Sequence, residues 1–156
     1  MKGRLNKMNE AIQNSMTAMP RMEGPIPCSE ASHPFCAMAY SRVPLRVEDY
    51  GYAEEEYFLS GTANIYDVDA NDEPIISKPN VPYQTRILIR KPQDMRKFSG
   101  RVYIDILNAT QNYDIEDLWH RAYLWCMEHG HGYVGITAKP VNALSLKRFD
   151  YERYES

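Results

Sequence analysis

The stretch that decides the fold runs from position 101 to position 137 and reads RVYIDILNATQNYDIEDLWHRAYLWCMEHGHGYVGIT. Its first part, Arg101–Leu107, is a nearly continuous run of strand formers, which is typical of a strand covered on both faces. Its last part, Tyr133–Thr137, is a second such run. A helical pattern lies between them, so the stretch predicts a parallel βαβ unit.

The helix of this unit is expected over Asp114 to His129, with Asp114 as the cap and Gly130 as a left-handed stop. The apolar positions that recur at spacings of three and four are Ile115, Leu118, Trp119, Ala122, Trp125 and Cys126. We therefore expect this face to pack on a sheet.

Burial along the helix follows from that pattern. Trp119, Ala122 and Cys126 are expected in the core, whereas Glu116 and Arg121 are expected to face solvent.

Upstream of the βαβ unit, the pattern indicates two more strands. Tyr57–Val68 and Tyr83–Arg90 are rich in strand formers, and the turn residues of Asp69–Pro74 separate them. An antiparallel pair followed by a parallel βαβ unit predicts a mixed α/β sheet with an antiparallel edge. Beyond Thr137 the chain runs through Lys139 and Pro140 into a polar, aromatic tail, Leu146–Ser156, in which no finishing element is expected.

The beginning of the chain differs in character from the rest. Residues 1–22 carry spaced apolar side chains, and we expect a flexible or weakly helical leader. From Glu23 to Pro44, frequent prolines favour extended, turn-rich chain. Residues 23–156 are expected to form the folded part.

Composition excludes several classes of protein. The net charge of −3 gives no positive field for nucleic acid. Charges interrupt every hydrophobic run, so neither a membrane span nor a signal peptide is predicted. Three cysteines cannot all pair within one chain. We expect reduced thiols in a cytoplasm.

Three clusters of polar residues suggest ligand chemistry but have simpler interpretations. Asp67, Asp69, Asn71 and Asp72 lack the glycine and glutamate of a calcium loop, which favours a solvated turn. His120, Cys126, His129 and His131 lack a geometry for tetrahedral metal ligation. The run Glu54–Glu56 is interpreted as a solvated face, with acid/base chemistry as the lesser alternative. No metal and no cofactor are predicted.

Several motifs in order along the chain resemble the start of the bacterial "alpha/beta hydrolase domain-containing" family. They are Glu23–Pro27, His33–Phe35, Tyr50–Tyr66, Pro82–Pro92, Phe98–Thr110 and the stretch from Asp114 to Gly130. The resemblance covers about Glu23 to Ser156 and implies the amino-terminal half of an α/β-hydrolase sheet.

The same resemblance implies a role for the loop after Leu107. In that fold the segment after the third strand supplies one N–H of the oxyanion hole, and by position the candidates are Asn108, Ala109 and Thr110. The family also implies a glycine near position 112, where this chain has Asn112.

The catalytic nucleophile of such an enzyme is not found in the sequence. None of the nine serines has a glycine two residues away on both sides, as Gly-x-Ser-x-Gly requires. One interpretation is therefore an inactive amino-terminal fragment of a serine hydrolase for small ester or acyl substrates, whose partner is the missing carboxy-terminal half. The alternative is a stand-alone, non-catalytic α/β binding or interaction module.

Overall fold

The computed structural model of the chain describes residues 18–155. Five strands are present in this part: β1 (Arg21–Glu23), β2 (Tyr52–Val68), β3 (Pro74–Pro92), β4 (Val102–Ile106) and β5 (Gly132–Ile136). The α-helices are α1 (Asp117–Glu128), α2 (Pro140–Phe149) and α3 (Tyr151–Tyr154). Short 3-10 helices cover Met38–Tyr40, Val47–Tyr50 and Met95–Lys97. The expected leader lies mostly outside the described residues.

The chain divides into two compact units. Of the described residues, the first unit holds 18–21 and Leu59–Gln84, which form the outer parts of β2 and β3. The second holds Met22–Phe58 and the chain from Thr85 onward. In the first unit the turn is closed by Asp69, whose carboxylate accepts the N–H groups of Asn71 and Glu73. The prediction of a β-turn at this place is confirmed.

The sheet is mixed, as the sequence predicts, with the strand order β1-β2-β3-β5-β4. β5 runs parallel to β4 and antiparallel to β3. β4 is thus the edge strand, and the expectation that it is covered on both faces is wrong. Its outward side chains, Val102, Ile104 and Ile106, are 50%, 63% and 59% exposed. β5 lies between β3 and β4 and pairs with both, so β4 has a neighbouring strand on one side only.

The core lies on the other face of the sheet, under α1. Trp119 and Cys126 of α1 are buried, as expected, and Ala122 packs against the same cluster. Tyr52 of β2 lies beneath the helix, and its hydroxyl donates to the carbonyls of Cys126 and His131 at 2.8 and 2.9 Å. Met38, from the proline-rich segment, and Val47 also belong to this cluster.

The helix α1 begins three residues later than predicted. Its first turn is capped from the sheet, because the Asp105 carboxylate of β4 accepts the Leu118 N–H at 3.2 Å. Asp114 is therefore not the cap, and Glu116 is fully buried rather than solvent-facing. Arg121 is exposed as expected, whereas Trp125 is 42% exposed despite its place in the apolar pattern.

The segment after Thr137 is not a tail. It forms α2 and α3, and Leu146, Arg153 and Tyr154 are buried. Pro140 starts α2 at a position where its missing N–H costs no hydrogen bond. Among the described residues, none of the helices has the length and apolar character needed to cross a membrane.

Candidate functional site: the loop after β4

The loop after β4 is closed into a compact turn. Asn108 and Ile115 form an isolated antiparallel bridge, in which each N–H donates to the other residue's carbonyl at 3.1 Å. The Asn108 side chain also donates to Asp117 in the first turn of α1 at 2.9 Å. The loop is thereby held between the carboxyl end of β4 and the amino end of α1. Open α/β sheets bind ligands at such a place.

The three predicted oxyanion-hole residues differ in what their N–H groups do. The Asn108 N–H donates across the bridge, and the Thr110 N–H donates to the Asn108 side chain at 2.9 Å. The Ala109 N–H has no hydrogen-bond partner among residues 18–155. Ala109 is itself only 9% exposed. Of the three, only the Ala109 amide is thus without an acceptor in the described part of the chain.

Asn112 keeps the backbone shape that a glycine would allow. Its φ is 62°, in the left-handed region, and its N–H donates to the Ala109 carbonyl at 2.9 Å. Asparagine tolerates this region better than most residues do. The departure from the glycine implied by the family resemblance thus preserves a left-handed turn.

Asp114 lies beneath the loop and is 1% exposed. Its carboxylate accepts from the Thr137 hydroxyl at 2.5 Å, from Asn142 at 2.7 Å and from Arg86 at 3.4 Å. Burial raises the pKa of this carboxyl above its usual range, against the hydrogen bond from Thr137 and the charge of Arg86. Asp114 therefore links the loop to β3, β5 and α2 rather than capping a helix.

Arg86 of β3 is the centre of this arrangement. Its guanidinium donates to Glu56 of β2 at 2.5 Å and to the carbonyl of Phe35. Glu56 also accepts from Arg153 at 2.6 Å and from the Tyr154 hydroxyl at 2.7 Å. The last helix is in this way tied to the sheet by charge.

Arg90 lies four residues after Arg86 on β3, on the same face of the strand, and it also pairs with buried carboxylates. It donates to both carboxylate oxygens of Glu116, at 2.5 and 3.0 Å, and to Glu54 at 2.6 Å. Its guanidinium also lies over the Trp119 ring, 4.6 Å from the centroid. Glu116 is buried because this bidentate partner compensates its desolvation.

The prediction of a solvated face at Glu54–Glu56 is therefore wrong. Glu56 is 1% exposed and Glu54 is largely covered, while Glu55 points the other way to Lys91 at 2.7 Å. A sequence signal was present: Arg86 and Arg90 share strand parity with the buried Leu88. Opposite charges on the buried face of two consecutive strands predict ion pairs between them. The prediction requires knowing which alternate positions of each strand face the core.

The network contains four carboxyls, those of Glu54, Glu56, Asp114 and Glu116, and three guanidiniums, those of Arg86, Arg90 and Arg153. Full ionisation leaves one excess negative charge. The raised pKa of Asp114 is consistent with that excess. These groups hold the loop and its neighbouring elements in place. We assign them no acid or base role, because each is paired with another group of the network.

A serine and a histidine meet elsewhere in the second unit. Ser99 Oγ lies 2.6 Å from His131 Nδ1, before β4 and β5 begin. β4 separates this pair from Ala109, and a five-residue strand spans about 16 Å. Ser99 therefore lies too far away to use the Ala109 amide as an oxyanion donor.

The remaining sequence candidates have structural roles. Cys126 is buried in the core, and His129 interacts with the Trp125 carbonyl at 2.9 Å near the helix end. Among residues 18–155, no group of three or more His, Cys, Asp or Glu side chains is arranged to hold a metal.

The fold and the loop define a protein of the α/β class, with a five-stranded mixed sheet and an unengaged amide at the carboxyl end of a parallel strand. The profile described as alpha/beta hydrolase domain matches residues 22–156. The chain belongs to this family. Comparison with curated proteins gives no significant match, and comparison with solved structures gives none either.

Proposed function

We propose that this chain is the amino-terminal part of a serine hydrolase that acts on ester or related acyl bonds. Membership of the alpha/beta hydrolase domain family supports a hydrolase-like fold. In this proposal Ala109 donates one N–H to the oxyanion hole, and the nucleophile comes from a carboxy-terminal half. Attack by that serine on the acyl carbon breaks the ester C–O bond, releases the alcohol and leaves an acyl-enzyme. Water then hydrolyses the acyl-enzyme to the carboxylic acid and the free serine.

The single observation that carries the oxyanion role is the state of the Ala109 amide. The amides on either side of it are occupied by the bridge and by the Asn108 side chain, which also hold the loop in place. A preorganised donor needs such a fixed backbone, because an amide that must reorient on binding loses part of its effect.

The uncovered part of the sheet supports a missing partner half. β4 ends the strand order, so one of its edges has no neighbouring strand among the described residues. At β4 the face that carries Ile104 and Ile106 is aliphatic and exposed. An open edge beside an open apolar face is typical of a surface that another part of a protein covers.

Reducing conditions fit the cysteines. Cys28, Cys36 and Cys126 are all free in the structure. This is compatible with the proposal of a cytoplasmic location, since structural disulfides are rare there.

The oxyanion role is tested in the longest natural reading frame that contains codons 22–156. Ala109→Pro removes the N–H, and we expect kcat to fall by about 10²- to 10³-fold with a small change in KM. Ala109→Gly keeps the N–H and is the matched control. Thermal unfolding of each variant checks that the fold is retained.

The hydrolase proposal itself is tested by a fluorophosphonate probe on the same protein. Labelling of a serine beyond residue 156 supports it, and the 156-residue chain alone is expected to remain unlabelled. If no reading frame containing this chain yields a labelled serine, the alternative of a non-catalytic α/β binding or interaction module replaces the hydrolase.

A further inference from the structure

A cavity of about 370 Å³ lies beside the loop, in the second unit. It is lined by the rings of Phe35, Tyr40, Tyr113 and Phe149, together with the imidazoles of His33 and His120. Its volume is within the range of small-molecule sites in proteins. Six rings from four separate segments of the chain line this space.

The rings already pack on one another in the geometries that a further ring would use. His33 stacks on Tyr40 with centroids 3.7 Å apart, and Phe35 meets Phe149 edge to face at 5.2 Å. Tyr113 meets Phe35 in a similar way at 6.1 Å. Offset and edge contacts of this kind favour an aromatic guest over an aliphatic one.

The wall of the cavity is held from behind by the buried charge network. Cys36 has a φ of 69°, which is uncommon for a residue with a side chain. Arg90 fixes its carbonyl at 3.0 Å, and the Cys36 thiol donates to the Asp114 carbonyl at 3.3 Å. The Phe35 N–H donates to the Tyr154 hydroxyl at 3.0 Å. The cavity is therefore formed before any ligand arrives.

The Cys36 thiol is not a nucleophile for such a ligand. Burial and the nearby charge of Glu116 raise its pKa far above the ordinary value for cysteine. Thiolate is the reactive form, so this thiol stays inert.

The charges around the cavity favour an uncharged guest. Its two carboxyls belong to Asp114 and Glu116, which are 1% and 0% exposed and are paired inside the protein. Because Arg86 and Arg90 already pair with these carboxylates, neither carboxylate can pair with a cationic guest, and neither guanidinium can pair with an anionic guest. His120 and Tyr113 have side chains without a hydrogen-bond partner among residues 18–155, and both can donate to an oxygen on the guest.

We propose that this cavity binds the aromatic group of an uncharged aryl or arylalkyl ester. The proposal rests on the proposed function, because the segment from Asn108 to Ile115 joins the cavity wall to the Ala109 amide. It names the substrate class of that site: a neutral ester whose ring enters the cavity beside the oxyanion donor.

The experiment is a titration of the 156-residue chain, which contains every lining residue, followed by ¹H–¹⁵N NMR. The probes are methyl benzoate, methyl cyclohexanecarboxylate and the benzoate anion. We expect saturable shifts at Phe35, Cys36 and Tyr113 with methyl benzoate, and at least fivefold weaker binding of each other probe. Equal affinity of the three, or no saturable shift in this region, overturns the proposal.

Two variants keep the test specific. Tyr113→Leu removes a half-exposed ring and should weaken methyl benzoate binding at least fivefold, and Ser41→Phe should fill the cavity with the same result. Tyr66→Leu, on the hairpin and 53% exposed, is the matched control that should change nothing. Unchanged affinity in both cavity variants, with native spectra, overturns the site. The nucleophilic serine of the proposed hydrolase is not needed for this binding readout, so its failure is distinguishable from a failure of fluorophosphonate labelling.

Discussion

The two faces of the sheet in the second unit reverse the usual distribution of residues. One face buries Arg86, Arg90 and Glu56, each at most 2% exposed. The other face leaves Ile104 and Ile106 about as exposed as surface residues, at 63% and 59%. Burying charge is costly unless each group is paired, and exposing aliphatic side chains is unfavourable unless something covers them. The charges of the first face are therefore compensated inside the protein, whereas the β4 part of the second face exposes aliphatic side chains that the proposed carboxy-terminal half would cover.

The stability of the fold should depend strongly on the buried charges. Arg86→Met leaves Glu56 and Asp114 without their guanidinium, and we expect it to cost about 3–5 kcal/mol of unfolding free energy in urea. Arg86→Met combined with Glu56→Leu should cost less than the sum of the single changes, because the pair is coupled. Arg121→Met, at an exposed position, is the control. A loss below 1 kcal/mol in Arg86→Met would contradict the account.

Aliphatic truncations compare the two faces directly. Leu88 is 0% exposed, so Leu88→Ala should cost about 2–5 kcal/mol through the cavity it leaves. Ile104→Ala should change the unfolding free energy by only about 0.5 kcal/mol, as surface substitutions do. Urea unfolding of both variants gives the two losses of unfolding free energy, which can then be compared. Equal losses of unfolding free energy would mean that Ile104 is packed like Leu88 and would contradict an exposed aliphatic face at β4.

The contribution of Asp114 to stability should depend on pH. Its folded pKa is raised, so the folded state binds the proton more tightly than the unfolded state does. Its contribution to stability is then fully present below its ordinary pKa of 3.8 and is lost as pH rises through the folded value. The free energy of unfolding of the wild type minus that of Asp114→Asn should fall over this window. Asp67→Asn, the same substitution at an exposed position, is the matched control for the measurement.

The sequence was sufficient for the parts of the fold that local patterns control. The hairpin turn at Asp69, the parallel βαβ unit and the stop at Gly130, with a φ of 68°, all follow from residues close in sequence. The oxyanion candidates were reached by family resemblance, and only the hydrogen bonds of the loop single out Ala109.

What the sequence could not supply depends on long-range pairing. Asp114 looks like a helix cap until Thr137 and Asn142 are seen to occupy its carboxylate. Glu56 looks solvated until Arg86, thirty residues later, is seen beside it. The position of β4 at the edge depends on which strand β5 joins, and no local pattern encodes that choice.

The central claim is that the aliphatic face beside β4 is an uncovered interface, and Nile red fluorescence tests it most directly. The wild-type chain should bind this uncharged hydrophobic dye, and Ile104→Glu combined with Ile106→Glu should abolish most of the signal. Val43→Glu combined with Met95→Glu, at positions 76% and 56% exposed, adds the same charge elsewhere and should keep the signal. A wild-type chain that binds no dye, or equal binding by both double variants, would contradict the claim.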